Sequence, residues 1–578
     1  MSFIPPGEKI IETKTCLLSG KDFVITDRDL EFYDKISPVF AGQQYLIPSP
    51  TLCPDERQRR RLAFRNERKL YKRKCDKSGK EIVSIYSSDT SSVVYDQKVW
   101  WSDDWSPLDY GKTFDFERSF FEQFWELAHQ TPLPCLLNSH SENAEYTNHS
   151  AHNKDCYLCF NVGYCDNCYY SSNYNLYCRD CIDCTTIEHA ERCYSCTLCY
   201  EQCYNLQYAL CCNQCSDSSF LYDCIWCNHC FACWNLRNKS YCIFNEEMEK
   251  EDYLKRREQI LQQYSYQEFY KKYFEACKKN AIHKNLWNFD NQRSVWDFLS
   301  NCDDVFMGFS MHDAIHTRYC TDGAGCNDFY DVTEPFEGTW QYETHALLRG
   351  SNMLFSSRSF ECTFWLYLES CQSSSHCFGS CSLKNGSHCI LNKSYSVQEY
   401  ETLCGKIIDH MRSTGEWGEF FPHELSPFGY NETVANEYFP MTEDEVRAKG
   451  WNWHTEDTKP FEGTAYVPLP IREYDERVVG FETAQKNIDG VLTGTVVCEV
   501  TKKPFKIIKQ ELAFYIENWT PIPTKHPDQR HKERMDLRNP RTLYERTCSE
   551  CGKDIMTTYA PERPEKVVCE ECYRKLVY

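Results

Sequence analysis

Residues 178 to 203 read CRDCIDCTTIEHAERCYSCTLCYEQC, with cysteines at 178, 181, 184, 193, 196, 199 and 203. Working outward, residues 156 to 242 hold 19 of the 38 cysteines of a 578-residue chain. Their intervals are ordered. Cys165, Cys181, Cys196, Cys212, Cys227 and Cys242 are separated by 16, 15, 16, 15 and 15 residues, and Cys168, Cys184, Cys199, Cys215 and Cys230 repeat the pattern. A third series, Cys178, Cys193, Ala209 and Cys224, takes Ala at one step. A period of 15 or 16 is too short for paired helices, which need at least about 20 residues per repeat. It suits one coil of a narrow β-solenoid, whose coils stack about 4.8 Å apart and bring equivalent positions into columns.

A tube that thin has room inside only for small side chains, and reduced Cys behaves as a small, soft hydrophobe. In a second copy of the ladder the positions of Cys212 and Cys227 become Ser359 and Ser374. A packing column tolerates Ser; a thiolate site does not. Two metal readings stand beside this one. Cys193, Cys196, Cys199 and Cys203 have the spacing of a bacterial Fe–S cluster loop, with Tyr204 where Pro usually follows. Zinc knuckles are the other. Because the same period runs on either side of this quartet, the packing reading is taken. Tyr157, Tyr169, Tyr194, Tyr200 and Tyr204 each follow a Cys, which implies an aromatic exterior covered by helices.

The chain carries two duplications. Cys16, Ser19, Phe23, Ile25, Leu30, Phe32 and Tyr33 match Cys498, Thr501, Phe505, Ile507, Leu512, Phe514 and Tyr515. Cys53, Pro54, Arg57, Arg61, Arg65, Arg73 and Cys75 then match His526, Pro527, Arg530, Arg534, Arg538, Arg546 and Cys548. The two ends are copies of one module. Inside, Cys215, Cys224, Cys230, Leu236, Asn238 and Cys242 match Cys362, Cys371, Cys377, Leu383, Asn385 and Cys389 at an offset of 147 residues. Apolar spacing predicts helices over Phe116 to Leu127, after Tyr253 and after Tyr400, and a Thr442–Glu445 capping box predicts one ending at Gly450.

The strongest chemical signal is Cys548-x2-Cys551, 17 intervening residues, and Cys569-x2-Cys572. Two such knuckles supply four thiolates for a tetrahedral Zn ion, a closed and therefore structural site. The N-terminal copy has Cys75 and Ser78 and then no Cys before Cys135, so it has lost the site. Cys16 with Cys53, and Cys498 with His526, read as relics.

Cys498 to Arg530, with Phe505, Glu511, Leu512, Phe514, Tyr515, Pro523 and Pro527, resembles small bacterial zinc-binding domains of the treble-clef type. The chain as a whole resembles a Cys-rich zinc-ribbon family of candidate-phyla bacteria, some of whose members carry a CaiB/BaiF-like label. That label implies coenzyme A transfer, and no residue here carries that chemistry.

Net charge is −21, yet residues 57 to 80 hold twelve Lys or Arg against two acids. Arg57, Arg61, Arg65 and Arg68 share a helical spacing, with Arg73 beyond them. Such a face can neutralise RNA or DNA phosphates or pair with the acidic remainder of the chain or of a protein partner. His312, Asp313, His316 and Asp322 suggest a carbohydrate-active alternative on a β-solenoid. No Walker loop, nucleophile elbow or His-Glu-x-x-His motif occurs. Neither a signal core nor an apolar run of membrane-spanning length is present, so a cytoplasmic chain with reduced thiols is expected.

The expected architecture is mainly β with α, two 15–16-residue Cys-ladder β-solenoids between duplicated zinc-ribbon or treble-clef-like modules. It runs as a degenerate module with a basic helix (1–100), an aromatic linker and helix (101–150), ladder one (151–245), helices (246–298), ladder two (299–393), helix and linker (394–490) and the zinc module (491–578). The expected role is a non-catalytic, zinc-binding scaffold that associates with itself or with a protein partner. Association with nucleic acid or ribosomes is the alternative.

Overall fold

The computed structural model describes residues 4–5, 7–264, 266–333, 339–344, 353–357, 364–456 and 461–578. Ser359 and Cys362 of the second ladder lie outside these. The chain is mixed α/β, 27% helix and 28% strand, where the sequence suggested mainly β. Helices gain because each terminal module ends its hairpins in one. Strands lose because the ladders turn a corner every third residue. The chain divides into two discontinuous units, Met1–Leu136 with Leu286–His454, and Leu137–Asn285 with Thr455–Tyr578. Each joins one terminal module to one ladder.

In the second unit, strands from Asn138–Ser139 to Glu246–Glu247 form an 11-stranded sheet in sequence order. All neighbours are parallel except the closing hairpin. In the first unit, sheets of four and seven strands run from Asn288–Phe289 to Lys393–Ser394 in the same way. Phe160 lies opposite Ser172, and Ser172 opposite Thr185. These strides of 12 and 13 residues correct the 15 or 16 read from the cysteine intervals.

The backbone explains the stride. Asp155, Leu158, Asn161, Tyr164, Asn167 and Tyr170 all have φ between 49° and 57°, a left-handed residue at every third position. The residue after each left-handed one points inward. The third residue donates its N–H to the next coil, as Tyr157 does to Cys168 O at 3.0 Å, and accepts in turn from the left-handed residue there, Tyr170 N, at 3.0 Å. Four such triplets close one 12-residue coil. Paired left-handed residues at Asn173–Tyr174 and Glu201–Gln202 add the thirteenth. A 15-residue step is five triplets, one coil plus one side. Cys165, Cys181, Cys196 and Cys212 therefore climb spirally, each on a different side.

The true columns run straight. One is Cys156, Cys168, Cys181, Cys193, Leu206, Ser218, Cys230 and Cys242, fixed by the pairing of the adjoining residues. Its thiols are buried and bonded to backbone: Cys181 Sγ donates to Arg179 O at 3.2 Å or Ala190 O at 3.5 Å. Left-handed backbone costs most residues about 1–2 kcal/mol each, and here two ladder bonds per triplet hold it in place. Corner side chains also form columns. His140, His152, Tyr164, Tyr177 and His189 stack at ring separations of 4.7 to 5.0 Å.

The Phe120–Gln130 helix starts at a Ser119 cap and lays Phe120 against Tyr367 and Phe378 of the second ladder, at 5.1 and 5.5 Å. Phe116 lies outside it. The Thr442 capping box is present on the Glu443–Ala448 helix, with Gly450 left-handed just beyond.

Each module grips its ladder through the same two arginines. In the first unit Arg57 Nε lies 2.9 Å and Arg61 Nη1 3.2 Å from Asp331, a left-handed corner residue, and all three side chains are at most 1% exposed. Arg57 also lies 5.0 Å over the Tyr319 ring, one coil earlier. In the second unit their counterparts Arg530 and Arg534 pair with the corner residue Asp183, and Arg530 lies 4.7 Å over Tyr170, again one coil earlier. Tyr33 packs edge-on against Tyr342 at 5.1 Å, as its counterpart Tyr515 does against Tyr194 at 5.9 Å. Burial alone disfavours the charged guanidinium, and the carboxylate outweighs it, so Arg57 and Arg530 are held charged above their ordinary range.

Asp331→Asn takes from two buried guanidiniums the carboxylate they both pair with and is expected to destabilise the first unit by about 3–5 kcal/mol, read as an earlier urea transition. Replacing Arg57, Arg61 and Asp331 together by Met, Leu and Leu is expected to recover most of that loss. An Asp331→Asn protein as stable as the parent would sink the clamp.

Candidate metal centre

The strands Tyr544–Thr547 and Asp554–Thr557 pair antiparallel, and the chain between them folds back as a knuckle. Cys548 N donates to Lys553 O at 2.7 Å and Gly552 N to Cys548 O at 2.9 Å. Gly552 takes φ 74°, which a residue without Cβ adopts at no steric cost. The strand Lys566–Val568 then pairs in parallel with Ile282–Lys284 and delivers Cys569 to the N-cap of the Glu570–Val577 helix. Cys572 follows in its first turn.

The four sulfur atoms lie within 4.8 Å of one another. Cys551 Sγ and Cys569 Sγ are 3.8 Å apart. A tetrahedral ion with metal–sulfur bonds of about 2.3 Å requires edges near this length. Three of the thiols are buried and Cys551 is exposed. Burial works against ionisation of Cys548, but N–H groups of Cys551 and Cys569, 3.5 and 3.3 Å from its sulfur, outweigh it and bring the thiol down to about 6. The helix N-terminus adds positive potential at the same place. The residues present therefore fit a metal ion held by four thiolates.

Three further places share this construction. Cys75 and Ser78 form a knuckle between Tyr71–Lys74 and Glu81–Ser84, with Gly79 at φ 69°. The strand Val94–Tyr95 pairs in parallel with Leu133–Pro134, and Asp96 caps the Gln97–Trp101 helix in the position of Cys569. Asp96 N bonds Cys75 Sγ at 3.3 Å, as Cys569 N bonds Cys548 Sγ. Cys53 caps the Pro54–Leu62 helix opposite the Cys16 knuckle, and His526 caps Pro527–Met535 opposite the Cys498 knuckle. His526 accepts from Asp528 N at 3.1 Å. At these places Ser19, Ser78 and Thr501 stand in the second knuckle position, and Cys53, Asp96 and His526 stand at the helix starts. Asp96 escaped the sequence reading because only its position at a helix start, 21 residues after Cys75, marks it.

Cys193, Cys196, Cys199 and Cys203 sit one on each side of a single coil, each sulfur within reach of backbone carbonyls. Among the described residues the group within metal-binding distance is Cys548, Cys551, Cys569 and Cys572. Arg65 is fully buried against Glu67, Arg68 is half-buried, and Arg73 bonds Asp76 at 2.9 Å. With Arg57 and Arg61 turned onto Asp331, this arginine set is committed inside the chain. Asp313, His316 and Asp322 occupy three different corners, and His312 lies beside the first of them. No family model, curated protein or solved structure matches this chain. Among the described residues no helix is long and apolar enough to cross a membrane.

His283, on the strand that buttresses the centre, is 4% exposed and shares hydrogen bonds with Tyr222 and Tyr559 at 2.8 and 3.3 Å. Burial lowers it to about 4. Between pH 6.5 and 4 the unfolded chain binds a proton that the folded His283 refuses, so its contribution to stability falls by about 3 kcal/mol as pH drops through that window. Asp223, pushed up to about 6 by burial, slopes the opposite way. A His283→Gln protein is therefore expected to lose stability less steeply than the parent over this window in pH-dependent urea unfolding. Equal slopes would contradict the assignment.

Proposed function

We propose that the chain is a zinc-bearing scaffold made of two short β-solenoids, each clamped by a treble-clef-like module, with its metal in a structural role. The Cys548, Cys551, Cys569 and Cys572 group carries this reading, since four thiolates leave a tetrahedral ion no open position for substrate. Soft thiolates in this geometry select Zn over the hard cations. The solenoid reading is supported by the 12- and 13-residue strides and the inward columns of small residues. The module reading is supported by the hairpin, knuckle and helix-cap construction found four times. The metal ties the knuckle to the Glu570–Val577 helix, which places Tyr573 and Tyr578 beside Arg237 of the ladder, the latter ring 4.7 Å away.

Metal analysis of the purified chain is expected to return about one Zn per chain. Cys569→Ser or a strong chelator should remove it and open the 544–578 segment to limited proteolysis. Four or more ions per chain, or iron, would overturn the assignment and turn the ladder into a metal array.

A further inference from the structure

The second unit holds an open groove of about 1470 Å³, beyond the 300–1,000 Å³ typical of small-molecule pockets. Its floor is a corner column of the ladder. Asn205, Asp217, His229 and Tyr241 are left-handed residues one coil apart and carry polar groups at successive coils; Asn205 Nδ2 donates to Asp217 Oδ1 at 2.7 Å, and the His229 and Tyr241 rings lie 5.1 Å apart. Beside them Gln207 is 7% exposed, and its Oε1 is a buried acceptor with no hydrogen-bond partner. The lining holds four Lys or Arg against three Asp or Glu, and Arg192 is already paired with Glu517 at 2.6 Å. The groove is nearly neutral.

The wall carries a second anomaly. Trp519 follows the Lys509–Glu517 helix, where Trp519 N bonds Ile516 O and Thr520 N bonds Tyr515 O at 2.9 Å. This pattern puts Trp519 in the left-handed position that usually takes Gly, and its φ is 52°. The Val397–Thr414 helix places Gly415 there, at φ 76°. A bulky residue in this conformation is strained, and here the strain holds an indole, 45% exposed, on the groove.

The geometry points to a binding site for a neutral oligosaccharide chain. A linear polymer of hydroxyl-bearing units matches a linear run of amide, carboxylate, imidazole and phenol groups. A flat apolar sugar face matches the exposed indole. Near-neutral charge disfavours polyanions.

The site is tested by saturation-transfer NMR with neutral hexasaccharides of glucose, N-acetylglucosamine, xylose and mannose. At least one is expected to bind, and Trp519→Gly should weaken it about tenfold or more, the effect of losing an aromatic anchor. The same variant should raise the melting temperature, because Gly relieves the left-handed strain. Gln207→Ala should weaken binding with the zinc content unchanged. The inference is overturned if no hexasaccharide binds, if Trp519→Gly binds as the parent does, or if it lowers the melting temperature. Extended peptides binding in the groove in place of the sugars would also overturn it.

Discussion

The ladders rest on one backbone constraint, a left-handed residue at every third position. That residue turns the chain at each corner, sends the next side chain inward and leaves the third free to bond the coil beyond. Because only four side chains enter each coil, the interior is filled mainly by Cys, Ser, Ala, Leu, Val and Ile, with larger or more polar exceptions at Asn175, Met311, Thr317 and Phe329. Asn and Asp tolerate the left-handed corner best, and they recur there beside His and Tyr. Where Tyr or Phe takes the corner, stacking with its neighbour one coil away and the ladder bonds hold a conformation that the isolated residue would avoid.

Columns at corners also explain how the modules attach. Asp331 and Asp183 are corner residues, so each carboxylate stands out from its coil at a fixed place, with a corner Tyr one coil before it. A short helix bearing Arg at positions four apart presents two guanidiniums on one face. Each module adds a second buried acid, Asp29 beside Arg57 and Glu511 beside Arg530, and the rings of Tyr319 and Tyr170 lie against the same two guanidiniums. The same four-part contact, two arginines, a corner acid and a corner ring one coil before it, occurs in both units.

The same local backbone stands with and without four thiols. In the Cys75 module, Asp96 caps the helix with its carboxylate and offers its backbone N–H to the remaining sulfur. Hydrogen bonding thereby supplies part of the order that a metal would supply at Cys548. The parallel strand pairs, Val94–Tyr95 with Leu133–Pro134 and Lys566–Val568 with Ile282–Lys284, then hold the helix starts in the same place.

Residue spacing alone pointed to the small inward positions and to the group at Cys548, Cys551, Cys569 and Cys572, because each depends on local periodicity or on a close pair of knuckles. Coil length was not legible there: 12 and 15 are both whole numbers of triplets, and only hydrogen bonds between coils decide how many triplets close a turn. Nor was the fate of Arg57 and Arg61, since helical spacing records which residues share a face and Asp331 lies 270 residues beyond Arg61. Tertiary structure brought that acid in, and burial made the pair a clamp where exposure would have made a basic face.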